Sequence, residues 1–136
     1  MNHFSPSSAA KLDTCHPRLQ RLFDAVVYEC DCTILCGERS KEDQDEAFRT
    51  GHSTVEWPQS LHNVTPEMKR QGLKSIAVDV APYPIDWNNR DRFMHFAGIV
   101  RGIASTMDLK VRWGGNWDGG DLERQSFDDL VHFELG

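Results

Sequence analysis

What this chain lacks narrows its possibilities first. No stretch approaches the run of about 18 apolar residues that a membrane span needs, so no transmembrane segment is expected. The amino terminus, Met1 to Pro6, has neither the basic start nor the apolar stretch of a secretory signal, and the expected place of synthesis and residence is the cytoplasm. Positive charge is short as well: 15 Lys and Arg stand against 21 Asp and Glu, a formal net charge of -6. Binding to phosphate backbones needs a basic surface, and no Lys/Arg cluster with interleaved aromatics supplies one, so nucleic acid is not an expected partner. Repeats and low-complexity tracts are absent.

What is present suits one globular unit. The 136 residues leave room for a single domain and one core, with residues 1–11, rich in Ser, Ala and Pro, read as a loosely structured lead-in. The four cysteines, Cys15, Cys30, Cys32 and Cys36, all fall in the first third. Their C-x-C-x3-C spacing lacks the paired C-x2-C knuckles of structural zinc sites, so free, partly buried thiols are expected over a zinc knot or disulfides.

The apolar pattern then lays out the elements. Leu19, Leu22, Phe23, Val26 and Val27 form one face of a helix that Pro17 can open. Thr33–Cys36 reads as a strand ended by Gly37. Ser40 caps a helix with Glu42 and Asp43 in its first turn, running to about Arg49 and stopping at Gly51. Residues 51–74 read as loop with a helical turn near Pro66–Lys69, and 75–80 as a strand stopped by Pro82 and Pro84. A long helix from about Asn89 to Met107 buries Phe93, Phe96, Val100, Ile103, Ala104 and Met107. Lys110–Trp113 and Val131–Leu135 are the last strands, separated after Trp113 by the break Gly114-Gly115. The expected class is α+β, with helices covering one face of a small, mainly antiparallel sheet.

Three side chains carry the candidate chemistry. His62, Asp79 and His132 are two imidazoles and a carboxylate, the minimum that holds a catalytic zinc while leaving one coordination position for water. An aspartate inside an apolar strand costs several kcal/mol if buried without a partner, and a metal would resolve that cost. His132 alone would read as a satisfied core histidine. On its strand it shares a face with Glu134, opposite Val131, Phe133 and Leu135. Asp129 lies three residues before it, so the chain must bend near 128–130 for Asp129 to reach the same water; otherwise Asp128 and Asp129 are a solvated turn. His3, His16, His52 and His95 stand in polar, terminal or helical contexts, and no catalytic role is expected of them.

An ordered set of short pieces now carries a resemblance: Gly37-Glu38-Arg39-Ser40, Asp43-Gln44, Gly51-His52-Ser53, Ser60-Leu61-His62, Ala77-Val78-Asp79, Trp113-Gly114-Gly115-Asn116-Trp117 and Asp129-Leu130-Val131-His132-Phe133-Glu134. Together they resemble the zinc D-alanyl-D-alanine carboxypeptidases and L-alanyl-D-glutamate endopeptidases, particularly small phage endolysins, over about Leu12 to Gly136. The resemblance implies a Hedgehog/DD-peptidase-like fold, zinc held by His62, Asp79 and His132, and Asp129 as the catalytic carboxylate. It places Arg39 near the site, on a substrate carboxylate or the developing oxyanion, with a structural salt bridge as the alternative. Ser60, Asn116 and Trp117 are the expected substrate-side residues. The implied activity is hydrolysis of the L-Ala-D-Glu bond in the stem peptide of bacterial peptidoglycan by a monomer with no membrane or nucleic-acid partner, leaving the host cytoplasm through a separate pore. Removal of a terminal D-Ala, or a non-catalytic zinc-stabilised wall-binding or virion module, are the alternatives. In one respect the chain departs from many relatives, which hold the histidine and aspartate closer together. Here 79 - 62 = 17, and 63–74 reads as an insertion that loops out, tolerable because loop-closure cost grows slowly with length.

Overall fold

The computed structural model describes residues 2–116 and 129–136. Among them lie helices α1 (Pro6–Asp13), α2 (Pro17–Glu29), α3 (Lys41–Arg49), α4 (Pro66–Arg70) and α5 (Arg90–Thr106), and strands β1 (Cys32–Cys36), β2 (Ala77–Pro82), β3 (Val111–Trp113) and β4 (His132–Leu135). A short 3-10 turn, Gly114–Asn116, follows β3. The strands form one sheet in the order β1-β2-β4-β3, and every pairing is antiparallel. None of the described helices is long and apolar enough to cross a membrane.

Alternation along the two inner strands divides the molecule. Val78 and Val80 of β2 and Phe133 of β4 turn to one face, where they meet Leu19, Leu22, Phe23 and Val26 of α2 and Phe96, Val100 and Ala104 of α5. Phe133 stands edge-on to Phe23 (centroids 5.6 Å) and Phe96 (6.2 Å), the geometry that ring quadrupoles favour. The residues between them, Asp79, His132 and Glu134, are left on the other face, so the core fixes the strands that carry the polar group.

The expected loose lead-in is corrected: residues 6–13 form α1. Ser5 caps it by accepting from Ser8 N, and Pro6 takes the first-turn position where its missing N–H is no loss. Leu12 joins the core, and the buried Ser8 hydroxyl accepts the N–H of Ile34, so α1 satisfies part of the β1 edge. The segment after His62, read from the sequence as an insertion, is also held. Thr65 caps α4, Lys69 pairs with Glu38 at 2.9 Å, and Lys74 donates to the carbonyl of Asp13.

Candidate active site

Pairing of β2 with β4 sets Asp79 directly opposite His132. His62 arrives from the loop before α4, where a tight turn points it inward. Ser60 Oγ accepts from His62 N, Asn63 N donates to Ser60 O, and Arg39 N donates to His62 O at 2.8 Å. All three side chains are buried, His62 to 2% exposure. His62 Nε2 lies 3.1 Å from Asp79 Oδ1 and 3.3 Å from His132 Nδ1, and the latter two atoms are 3.2 Å apart.

The outer nitrogens decide what this triangle is for. Gly37 O can only accept, so the 2.7 Å contact puts the proton of His62 on Nδ1. Glu134 Oε1 likewise accepts from His132 Nε2 at 2.8 Å. In the neutral rings both inward nitrogens therefore present lone pairs, and they face each other and a carboxylate oxygen with no hydrogen among the three. Only a cation resolves that arrangement. The edges match the donor set: nitrogen and oxygen ligands at about 2.0–2.1 Å from zinc stand about 3.3 Å apart in a tetrahedron. The carboxylate behind His132 is the outer partner that orients metal-binding imidazoles.

Without a metal, protons serve as the cation. Burial alone would lower the pKa of His62, but hydrogen bonds to Asp79 and the nearby Cys36 outweigh it and lift the value to about 10. His132 is raised as well, burial again being overcome by Asp79 and Glu134. Asp79 moves the other way: burial opposes its charge, yet the two imidazoles hold it well below the usual carboxylate range.

Asp129 reaches this group through the bend its spacing required. Its N–H donates to Gly114 O (2.9 Å), His132 N donates back to Asp129 O (3.1 Å), and the Trp113 indole N–H holds Leu130 O. A Cβ on Gly114 would run into the Asp129 carbonyl, so only glycine lets the two segments approach. An oxygen of Asp129, one of Asp79 and a ring nitrogen of His132 lie within 4.8 Å of one another. Burial, then the charge of Asp79, raise the Asp129 pKa. Arg39 sends Nη2 toward Asp79 Oδ2 (3.7 Å) and Nη1 to Gln44 Oε1 (3.0 Å), so it backs the Asp79 carboxylate while still lining the cleft.

The cleft in front of the group measures ≈ 240 Å³. It is lined by Arg39, His62, Asp129, His132 and Glu134 together with His52–Val55 and Gln59–Leu61, a segment that includes Ser60. His52, given no role from the sequence, also lines it; the exposed His95 does not. Asn116 closes the 3-10 turn after β3, while Trp117 and Asp128 lie outside the described residues. Trp113 packs in the core and the exposed Trp87 stacks on Phe93, neither serving the cleft. The thiols of Cys15, Cys30, Cys32 and Cys36 are unpaired.

Sequence reasoning gave no role to Gln44, which is fully buried. Its Oε1 accepts from Arg39 and Asn63, and its Nε2 donates to Ser53 Oγ and Val55 O, tying Arg39 to the 53–55 segment of the cleft wall. The signal available was its place four residues after the Ser40 cap, an uncharged polar residue between Asp43 and Asp45 in a largely charged helix.

An α+β sheet with this polar group at the foot of a cleft defines a small peptidase. The chain belongs to the phage L-alanyl-D-glutamate peptidase family, which matches residues 1–135. Among solved structures it is similar to the Serratia marcescens L-Ala D-Glu endopeptidase ChiX, at 28% identity and a TM-score of 0.74 over 98% of this chain and 89% of that one. No curated protein matches.

Proposed function

We propose that this peptidase is a zinc enzyme that cuts the L-Ala-D-Glu bond of the peptidoglycan stem peptide, with His62, Asp79 and His132 holding the metal. The observation that carries the reading is the meeting of two imidazole lone pairs and a carboxylate oxygen at 3.1–3.3 Å beside an open cleft. When bound, zinc supplies a Lewis acid and brings the pKa of a water toward about 7. The chain's own residues do the rest. Asp129 takes a proton from the attacking water and returns it to the leaving amine of D-Glu, its raised pKa suiting it to both steps. Arg39 places positive charge at the cleft wall, where the carbonyl oxygen gains charge. Gly37 O and Glu134 keep the imidazoles in the required tautomers. Ser60 shapes the turn that presents His62 and stands at the substrate side with the segment 52–55.

A structural zinc site is normally closed by a fourth protein ligand, whereas here a carboxylate stands beside the open side of the cage. Clearing of permeabilised bacterial cells separates the two roles. The expected result is clearing that needs zinc and stops with a chelator. A folded, zinc-loaded protein that binds the wall and never clears cells would establish the non-catalytic role.

A further inference from the structure

The His62–Asp79 edge of the cage has a neighbour that the peptidase chemistry leaves unused. β1 pairs with β2 in one register from Cys32↔Pro82 to Ile34↔Val80, then slips so that Cys36 stands opposite Asp79. Leu35 is the extra residue of this β-bulge. In unbroken register Cys36 would stand opposite Val78, whose side chain is fully buried in the core. The bulge instead gives Cys36 the partner whose side chain faces the site, the re-aiming for which bulges beside active sites are known. There, one ligand atom each from Cys36, His62 and Asp79 lies within 4.8 Å of the other two. The Cys36 thiol donates at 3.6 Å to Gly37 O, the same carbonyl that takes the Nδ1 proton of His62. Cys15 and Cys32, by contrast, are buried in the hydrophobic core.

We propose that Cys36, His62 and Asp79 form a second donor set, overlapping the zinc cage and favouring a thiophilic divalent cation. It rests on the zinc reading only in taking His62 and Asp79 as metal-facing. A thiolate is the soft ligand among this protein's site residues and selects such ions over those preferring nitrogen and oxygen. On binding, the Cys36 S–H bond gives its proton to solvent and the sulfur lone pair forms the bond to the cation, with no change of oxidation state. Because His62 and Asp79 belong to both sets, a cation held with Cys36 competes with zinc in the cage.

Cd2+ titrated into the metal-free protein tests this, read as near-ultraviolet thiolate-to-cadmium absorption. The expected band saturates at a single ion per chain, vanishes in Cys36→Ser and persists in Cys30→Ser, while Co2+ still gives a nitrogen/oxygen ligand-field spectrum in Cys36→Ser. Cadmium NMR of the unmutated protein reads sulfur ligation directly, whatever the fate of the variant, and a shift in the sulfur-bound range is expected. A wild-type protein without the band, a band that survives Cys36→Ser, or a cadmium shift typical of nitrogen and oxygen alone would overturn the proposal. Failure of the zinc reading shows elsewhere, as loss of zinc and Co2+ uptake in wild type and variant alike.

Discussion

Two carboxylates sit close to the cage in different surroundings: Asp129 lies beside Asp79 and His132 at the cleft, and Glu134 accepts from the His132 imidazole. Burial, then the charge of Asp79, push the Asp129 carboxyl above the usual carboxylate range, the direction that favours holding a proton taken from water. Asp129→Ala is expected to keep its zinc, measured by elemental analysis, and to lose about 10²–10⁴ in kcat. His132→Ala should lose zinc and activity together; a metal-free but active His132→Ala protein would remove His132 from the ligand set. Glu134 acts through His132, and Glu134→Gln is expected to weaken zinc binding about 10–100-fold in a competitive chelator titration. Protonation sets the sign of the pH dependence. In the metal-free protein His62 holds its proton up to about 10, so zinc must displace protons at neutral pH and its apparent affinity rises as pH climbs toward that value. Calorimetry in buffers of different ionisation enthalpy should show net proton release on zinc binding at pH 7; a buffer-independent heat would contradict this displacement of protons. The same raised pKa contributes stability to the metal-free fold that is fully present below 6.5 and is lost as pH rises through about 10.

At the level of elements, the backbone bonds of Asp129 to Gly114 and to His132 solve a strand parity problem. Asp129 would fall on the wrong face of an unbroken strand, and its backbone bond to Gly114 O brings it round. Gly114→Ala should therefore displace Asp129 and depress kcat while leaving zinc content unchanged, a separation that general unfolding would not give. The same scale shows what the amino acids disclose. Helices α2, α3 and α5 follow from periodic apolar residues, the Ser40 cap and the stop at Gly51, because each is a local signal. The antiparallel β2 and β4, with Asp79 and His132 on one face, follow from alternation. α1 escaped because its burial rests on Leu12 and the small Ser8, too little for a periodic stripe, although Ser5-Pro6 already spelled a helix start. The bulge at Leu35 and the reach of Gln44 to both Arg39 and Val55 depend on contacts between separate segments, and no local pattern announces them.

For the whole molecule, the core and the site share the same two strands, so stability and metal binding are linked. Phe133 is fully buried between α2 and α5, and its neighbours in sequence are on the cleft face. Phe133→Ala is expected to destabilise by ~3–5 kcal/mol in denaturant unfolding and to weaken zinc binding through movement of His132. Zinc in turn should stabilise the fold: at a hundred times its Kd, binding contributes about 2.7 kcal/mol, which a protein of this size reads as a rise in Tm of roughly 5–15 °C. The central claim joins this metal linkage to one particular bond. Mass spectrometry of muropeptides digested by the zinc-loaded and the chelated protein tests both halves at once. The expected result is a fragment with a new D-Glu amino terminus that appears with zinc and is missing after chelation. Release of D-Ala in its place, or the same D-Glu fragment from chelated protein, would contradict the account.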